Sequence, residues 1–300
     1  MTQQIKILDG GMGRELARVG APFRQPEWSA LALYEAPQRV REVHDCFISA
    51  GADIITTNSY AIVPFHIGEA RFNADAERLS TLAGQLARQA AEATGHPVQV
   101  AGSLPPALGS YRPDLFDAQE ALKIYQVLVA AQAPYVDIWL GETISSLAEA
   151  RAIHQAVANQ PHPLWLSFSL QDDPDQTRQD STLRSGESVS DAVALAVETG
   201  AANILFNCSS PEVILSAVQQ AAATLRHLGS EAGIGVYANA FEHHSNDGGA
   251  NEGLSGLRQD THPEGYLRWA QEWVAAGATL IGGCCGIGPE HIQRLASTLK

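Results

Sequence analysis

Cysteine is scarce in this 300-residue chain, which contains only Cys46, Cys208, Cys284 and Cys285. So few cysteines in a chain of this length do not form a disulfide framework. A reducing compartment such as the cytoplasm is therefore expected, because structural disulfides are characteristic of oxidising ones. Under reducing conditions the thiol groups stay free, and their thiolate forms are available as metal ligands.

Basic residues and long apolar runs are also in short supply. The chain has 19 lysines and arginines against 33 acidic residues, a formal net charge of −14. This balance argues against nucleic acid or an anionic membrane surface as a partner. No run approaches the roughly 18 apolar residues of a membrane-spanning helix, and the segment "MTQQIKILDGG" has no signal-peptide pattern. We therefore expect small-molecule partners only, and the sequence indicates no particular oligomeric state.

Three stretches share one pattern, in which a helix-like segment stops at a glycine and an apolar run of strand length follows. They are "ISAGADIITTNSY" (48–60), "VETGAANILFNCSS" (197–210) and "VAAGATLIGGCCG" (274–286). Glycine after the last helical turn supplies the left-handed backbone that ends a helix. Near-continuous apolar runs rich in branched residues are typical of parallel strands that are buried on both faces.

Reading the remaining sequence in the same way predicts eight strands, with helix-like segments such as 37–50, 76–94 and 263–276 between them. The predicted strands are 5–9, 52–57, 98–102, 136–141, 164–169, 202–207, 233–238 and 278–283. Eight alternating units in about 300 residues predict an α/β protein of the (β/α)₈ TIM-barrel type, with residues 1–300 as a single domain. A doubly wound open sheet is the alternative.

Polar residues gather where the predicted strands end, and the active sites of such barrels lie at this carboxyl-terminal rim. The residues predicted to bind substrate there are Asp9, Gly10, Gly11, Asn58, Tyr60, Glu142, Thr143 and Asn239. The longest polar stretch, 242–262, would follow the seventh strand. It includes Glu242, a candidate rim carboxylate, and His243 and His244, which show no metal-ligand spacing. Long loops in compact domains are usually functional or disordered.

Three of the cysteines follow the sixth and eighth predicted strands, which only one strand separates in a barrel. Cys208, Cys284 and Cys285 are therefore predicted to converge as catalytic metal ligands. Three thiolates in a tetrahedral arrangement select Zn²⁺ and leave a fourth position for substrate. Neighbouring side chains on a regular strand point to opposite faces. The glycines that flank Cys284 and Cys285 are expected to let the backbone turn so that both sulfurs face one point.

Other interpretations of the cysteines remain open at this point. Free cysteine is often a small buried hydrophobic residue, and this is the interpretation favoured for Cys46, inside the first long helix. Redox pairing is a third option, although the chain has no Cys-x-x-Cys motif.

The segment "LDGGMGREL" (8–16) runs from a strand through three glycines into a helix. The N–H groups of Gly10 and Gly11 would be free to bind a carboxylate, and Asp9 would be free to bind a cation. A bare tight turn is the alternative. In "DIWLGETISS" (137–146), Glu142 is placed to hold a substrate ammonium group. Its alternative role is to stabilise the N-terminus of the following helix.

Together these motifs resemble the homocysteine S-methyltransferase family over residues 5–297, and the pairing of "NC" with "GGCCG" is the most specific of them. The segments that carry the resemblance are "ILDGGMGREL", "GADIITTNSY", "DIWLGETISSLAEA", "LRSGES", "ILFNCSSPEVI" and "GATLIGGCCGIGPEHI". The resemblance implies a (β/α)₈ barrel with zinc on the three cysteines and the homocysteine sulfur at the open metal position. It also implies that Asp9, Gly10 and Glu142 bind the amino acid end of homocysteine. Tyr60 lies in a loop whose tyrosine reaches the zinc in some relatives.

The resemblance is to the small, single-domain members, which implies methyl transfer to homocysteine, to give methionine, from S-methylmethionine or S-adenosylmethionine. The chain departs from the S-methylmethionine type at Ala238, where such members often have proline. Three alternatives stay open. One is another thiol or selenol acceptor, such as selenocysteine or selenohomocysteine. The second is a betaine-type donor. The third is a non-catalytic protein that senses zinc or thiols.

Overall fold

Eight parallel strands form a closed barrel in the computed structural model, which describes residues 4–24, 26–172, 180–241 and 256–300. Seven of the eight neighbouring pairs form parallel ladders, in the order β1-β8-β7-β6-β5-β4-β3-β2, and a parallel bridge between Leu8 and Ile54 joins β1 to β2. The strands are β1 (Lys6–Ile7), β2 (Ile54–Thr56), β3 (Gln99–Leu104), β4 (Ile138–Ile144), β5 (Leu164–Phe168), β6 (Asn203–Asn207), β7 (Gly233–Ala238) and β8 (Leu280–Gly283). All eight predicted strands are confirmed, and closure excludes the open-sheet alternative.

Helices connect the strands and cover the outside of the barrel. They are α1 (Met12–Arg18), α2 (Ala30–Glu35), α3 (Pro37–Ser49), α4 (Pro64–Ile67), α5 (Glu69–Glu92), α6 (Ala118–Gln132), α7 (Leu147–Val157), α8 (Val189–Glu198), α9 (Pro211–Leu228), α10 (Pro263–Ala276) and α11 (Pro289–Leu299), with 3₁₀ turns at Pro113–Leu115, Ala133–Tyr135 and Gln259–Thr261. The helices predicted at 37–50 and 263–276 are confirmed, and each begins with proline, whose fixed φ suits the first helical position. The helix predicted at 76–94 begins earlier, at Glu69, directly after Gly68, whose φ is +79°.

The interior of the barrel is filled by alternate residues of the strands, since side chains on a strand point to opposite faces in turn. This inner cluster comprises Leu8, Ile54, Ala101, Ile138, Leu140, Trp165, Leu205, Tyr237 and Leu280. On each of β3, β4, β5 and β6, the residue two positions after the cluster member is polar and buried. These residues are Ser103, Glu142, Ser167 and Asn207. The same alternation that builds the core therefore places a layer of polar side chains directly beneath the carboxyl-terminal rim.

The fourth strand differs from its prediction because it contains a bulge. The sequence places Glu142 and Thr143 after a strand that ends at residue 141, whereas β4 continues to Ile144. Its register against β5 shifts between Gly141 and Ile144, and Thr143 has a φ of +58°. A bulge bends the strand and changes the direction of nearby side chains. Glu142 and Thr143 are therefore part of the sheet, not of the loop that follows it.

Two expectations concern residues outside the barrel wall. Cys46 is half-buried on α3, at a surface groove that Arg18 and Glu290 also line, so the expectation of a core cysteine is wrong.

Glu242, His243 and His244 lie outside the described residues. Within the described part of the chain, no helix has the length and apolar character needed to cross a bilayer.

Candidate metal centre and active site

Three thiol groups meet at the carboxyl-terminal rim of the barrel. Cys208 directly follows β6, Cys284 and Cys285 directly follow β8, and their Sγ atoms all lie within 4.8 Å of one another. The Sγ of Cys284 lies 2.7 Å from that of Cys208 and 4.0 Å from that of Cys285. All three are free thiols. The predicted convergence of these cysteines is therefore present in the structure.

The backbone reaches this convergence through unusual local conformations. Cys208 has a φ of +51° and Gly286 a φ of +86°, so both turns use the left-handed region, which costs free energy for any residue except glycine. Gly282 and Gly283 have no positive φ, contrary to the expectation that they help the chain to turn. They are needed for space, since a Cβ on Gly283 would lie 2.1 Å from Cγ2 of Ile287 and one on Gly282 would lie 2.6 Å from Cβ of Leu8.

The cluster has the chemistry of a zinc site. Sulfur ligands on a tetrahedron with Zn–S bonds of about 2.3 Å lie roughly 3.8 Å apart. The Cys284 and Cys285 Sγ atoms, 4.0 Å apart, match this spacing, whereas the Cys208 and Cys284 Sγ atoms, 2.7 Å apart, would have to separate by about 1 Å to share an ion. Hydrogen bonds from Cys284 and Cys285 lower the pKa of the Cys208 thiol, whereas the hydrogen bond with Cys208 raises the pKa of each partner. The three residues offer soft sulfur donors, which fit zinc.

Two buried carboxyl groups accompany the thiols. Glu142 accepts a short hydrogen bond from the Ser103 hydroxyl and one of 3.4 Å from the Tyr237 hydroxyl. Asp9 accepts hydrogen bonds from the backbone N–H and the hydroxyl of Thr56, at 2.7 and 3.2 Å. Burial raises the pKa of Glu142 to about 8 and that of Asp9 to about 7. Such carboxyl groups gain most from a cationic partner, since an adjacent positive charge favours the ionised form.

The glycine turn at residues 10–11 is used differently from the prediction. The Gly11 amide donates to the backbone oxygen of Ile287 at 2.9 Å, so it is not exposed for a ligand carboxylate as expected. A Cβ on Gly10 would lie 2.3 Å from the same oxygen, and one on Gly11 would lie 2.5 Å from the backbone oxygen of Cys284. Both glycines therefore allow β1 to pack closely against the loop that carries two of the cysteines.

The remaining predicted residues occupy different positions around the rim. The Asn58 amide donates to the backbone oxygen of Ser29 at 3.0 Å, which makes it a support for the loop before α2. Tyr60 packs edge-on against Trp28, with ring centroids 6.0 Å apart, and its hydroxyl hydrogen-bonds Ser110 at 2.7 Å. The Asn239 side-chain oxygen is buried and has no hydrogen-bond partner among the described residues. Of these three residues, Asn239 is therefore the best suited to accept a hydrogen bond from a ligand.

Sequence reasoning missed Tyr111, which lies beside the thiols. Its φ is +63°, and the Arg184 guanidinium stacks 4.2 Å from its ring centroid. The pKa of the Cys208 thiol is lowered chiefly by Cys284 and Cys285, and Tyr111 adds to this effect. Arg184 also donates to the Cys208 backbone oxygen at 3.4 Å. No local pattern in "GSYRPDL" indicates this position, because the loop conformation decides it. Tyr237 and Asn207, by contrast, follow from strand alternation.

Fold and site together define a (β/α)₈ barrel with three convergent thiols that could hold a metal ion, and comparisons with known proteins identify the family. The sequence model of homocysteine S-methyltransferase matches residues 6–299. The chain is 31% identical to the homocysteine S-methyltransferase of Escherichia coli K12 and 29% identical to homocysteine S-methyltransferase 1 of Zea mays. Each of these alignments covers 98% of this chain and 94% of the relative.

A selenocysteine methyltransferase of Astragalus bisulcatus is 26% identical, over 98% of this chain and 92% of its own length. Among solved structures, the metallated form of the homocysteine methyltransferase MmuM from Escherichia coli matches with a TM-score of 0.76 and 29% identity, over 98% of this chain and 96% of that one. The chain belongs to the homocysteine S-methyltransferase family. The predictions of this family, of a TIM barrel and of a methyltransferase are confirmed.

Proposed function

We propose that this barrel, as one homocysteine-binding domain of residues 1–300, transfers a methyl group from a sulfonium donor to the thiol of homocysteine, giving methionine. The donor would be S-methylmethionine or S-adenosylmethionine. The observation that carries the proposal is the approach of three thiols to within 4.8 Å of one another at the rim, where Glu142 and Asp9 are also buried. Thiols from two segments so far apart in the sequence seldom converge for packing alone, and the family match indicates the reaction that they would serve.

Cys208, Cys284 and Cys285 would hold a zinc ion as the cofactor. When bound, zinc supplies the Lewis acidity that keeps a substrate thiol in its nucleophilic, deprotonated form at neutral pH. The residues themselves contribute the anionic charge of their thiolates. That charge favours a cationic methyl donor over a neutral one, because complementary charge selects the partner. The need for reduced thiols also supports the cytoplasm as the location of the enzyme.

The carboxylates would bind the amino acid end of homocysteine. Glu142 and Asp9 would provide acceptors for the ammonium group, and the side-chain oxygen of Asn239, which has no hydrogen-bond partner in the described part of the chain, offers a third. Binding a cation lowers the raised pKa values of both carboxyl groups, so each would be ionised in the complex. The Gly10 amide is the remaining candidate donor for the substrate carboxylate. These contacts would orient the thiol toward the donor methyl group.

Methyl transfer from a sulfonium places few demands on acid–base groups. A new bond forms between the homocysteine sulfur and the methyl carbon, while the bond from that carbon to the sulfonium sulfur breaks. Its electron pair leaves with the donor sulfur, which becomes a neutral thioether that needs no proton. The protein must align three atoms, an orientation effect worth up to about 7–11 kcal/mol in favourable cases. The neighbouring aromatic rings of Trp28 and Tyr60 would suit a cationic donor.

A donor and acceptor screen tests the proposed function. Zinc-loaded enzyme is incubated with homocysteine and S-methylmethionine, S-adenosylmethionine or betaine, and products are measured by mass spectrometry. We expect methionine from a sulfonium donor and none from betaine, since only the sulfonium carries a methyl group with a thioether leaving group. Methionine from betaine alone would contradict the proposed donor class, and binding of homocysteine without any product would indicate a non-catalytic sensing protein.

Selenocysteine is the second candidate acceptor, because the chain also resembles a selenocysteine methyltransferase. The thiol centre would serve a selenol in the same way, and only the distance to the amino acid contacts would differ. Adding selenocysteine and homocysteine together to the same assay separates these acceptors. We expect methionine as the main product, and predominance of methylselenocysteine would reverse the assignment.

A further inference from the structure

Asn207, at the end of β6, joins three neighbouring strands through one buried amide. Its side-chain oxygen accepts hydrogen bonds from the backbone N–H of Thr143 on β4 at 3.0 Å and from the hydroxyl of Ser167 on β5 at 2.7 Å. Its side-chain nitrogen donates to the Thr143 hydroxyl at 2.9 Å. The three residues have no solvent exposure. A single side chain therefore fixes the ends of β4 and β5 relative to the strand that carries Cys208.

Thr143 needs such a partner because of its backbone. Its φ of +58° falls in the left-handed region, which is a rare conformation for a β-branched residue. It lies in the bulge where the β4–β5 register shifts, so the regular ladder does not satisfy its N–H. The Asn207 oxygen satisfies that N–H instead. Without the amide, a buried donor would lack a partner and the conformation would lose two of the hydrogen bonds that hold it.

The bulge connects the two halves of the site. Glu142 immediately precedes Thr143, and Cys208 immediately follows Asn207. Glu142 is the proposed ammonium ligand and Cys208 a proposed zinc ligand, on strands that β5 separates. Asn207 thus spans the interval between the place that binds the amino acid end of the substrate and the place that binds its sulfur.

We propose that Asn207 is a positioning residue that fixes the distance between Glu142 and the thiol centre and so selects the length of the thiol amino acid. The inference rests on the proposed function. A substrate that bridges these two points must have the matching number of methylene groups, and homocysteine and cysteine differ by one. The rigid Asn207–Thr143 pair would favour homocysteine, whereas a relaxed bulge would tolerate the shorter acceptor.

The test measures the binding of homocysteine and of cysteine to the zinc-loaded protein by calorimetry, so that no methyl donor is involved. Asn207→Ala removes the amide, and Thr143→Val removes only the hydroxyl while it keeps the branched shape. Asn203→Ala is the matched control, with the same substitution at the other end of β6. Zinc content and thermal midpoint are measured for every variant.

In Asn207→Ala we expect the Kd for homocysteine to rise about tenfold and the preference for homocysteine over cysteine to fall by a similar factor. Losses of this size are usual when a residue that orients the ligands of a metal site is removed. Thr143→Val should show the same change to a smaller degree, and Asn203→Ala should keep the wild-type ratio of the Kd for cysteine to the Kd for homocysteine. Every variant should retain about one zinc per chain. An unchanged ratio in Asn207→Ala and Thr143→Val, with wild-type protein that binds homocysteine, would overturn this inference alone. Failure of wild-type protein to bind homocysteine would overturn the proposed function, and the inference with it.

Discussion

Cys208→Ala is expected to lose its zinc and to lower kcat/KM for homocysteine methylation by more than about 100-fold. Substitutions of residues that only orient metal ligands cost about 10–100-fold, and loss of a direct ligand should cost more. Cys208 is the buried member of the cluster and the only one that follows β6, so no other thiol among the described residues can take its position. Alanine preserves the small apolar volume, which limits the effect on folding. Zinc content by mass spectrometry and steady-state kinetics measure the two losses.

Cys46→Ala is the matched control for this substitution. Cys46 is a free thiol on α3, on the outside of the barrel and apart from the three-thiol cluster. The control should retain about one zinc per chain and the wild-type rate. Wild-type activity in Cys208→Ala, with a full complement of zinc, would contradict the assignment of this residue.

Glu142→Gln is expected to raise the KM for homocysteine about 100-fold while the zinc stays bound. Removing one partner of a buried, hydrogen-bonded charge pair costs about 2–5 kcal/mol, and about 3 kcal/mol corresponds to roughly 100-fold. Glutamine keeps the size of the side chain and can still bond with Ser103 and Tyr237, so the loss is that of the negative charge toward the ammonium group. Kinetics at saturating donor, with zinc measured in the same sample, tests this prediction.

Glu149→Gln is the matched control, since Glu149 is another buried carboxyl group, on α7, whose pKa burial raises to about 7. It accepts a hydrogen bond from the Ser145 backbone N–H at 2.8 Å and does not bond with Glu142. Its KM for homocysteine should match the wild type. Loss of zinc from Glu142→Gln, or an unchanged KM, would show that Glu142 does not bind the substrate.

Regular features of the barrel were predictable because they depend on local periodicity. Strand positions follow from apolar runs after glycine, and the same two-residue alternation that makes Leu140 and Leu205 part of the interior also places Glu142 and Asn207 there. The three cysteines were predictable for the same reason, since the ends of β6 and β8 must lie near each other in a closed barrel. Periodicity therefore predicts the fold and the convergence of the three thiols together.

Features that depend on irregular backbone were not predictable. The bulge at Thr143 exists because a distant amide, that of Asn207, satisfies its N–H, and no local pattern encodes that partner. Tyr111 reaches the thiols because of a left-handed loop conformation in contact with Arg184. The Gly11 amide donates its hydrogen bond to the backbone oxygen of Ile287, which is 276 positions later in the sequence. Each outcome depends on tertiary contacts between segments far apart in the chain.

Zinc X-ray absorption spectroscopy of the reduced protein, without and with homocysteine, tests directly whether the three thiols hold zinc with one position open to substrate. We expect three sulfur ligands at about 2.3 Å and one lighter ligand before homocysteine is added, and four sulfur ligands afterwards. A spectrum with fewer than three sulfur ligands in the free protein, or one that homocysteine leaves unchanged, would contradict it.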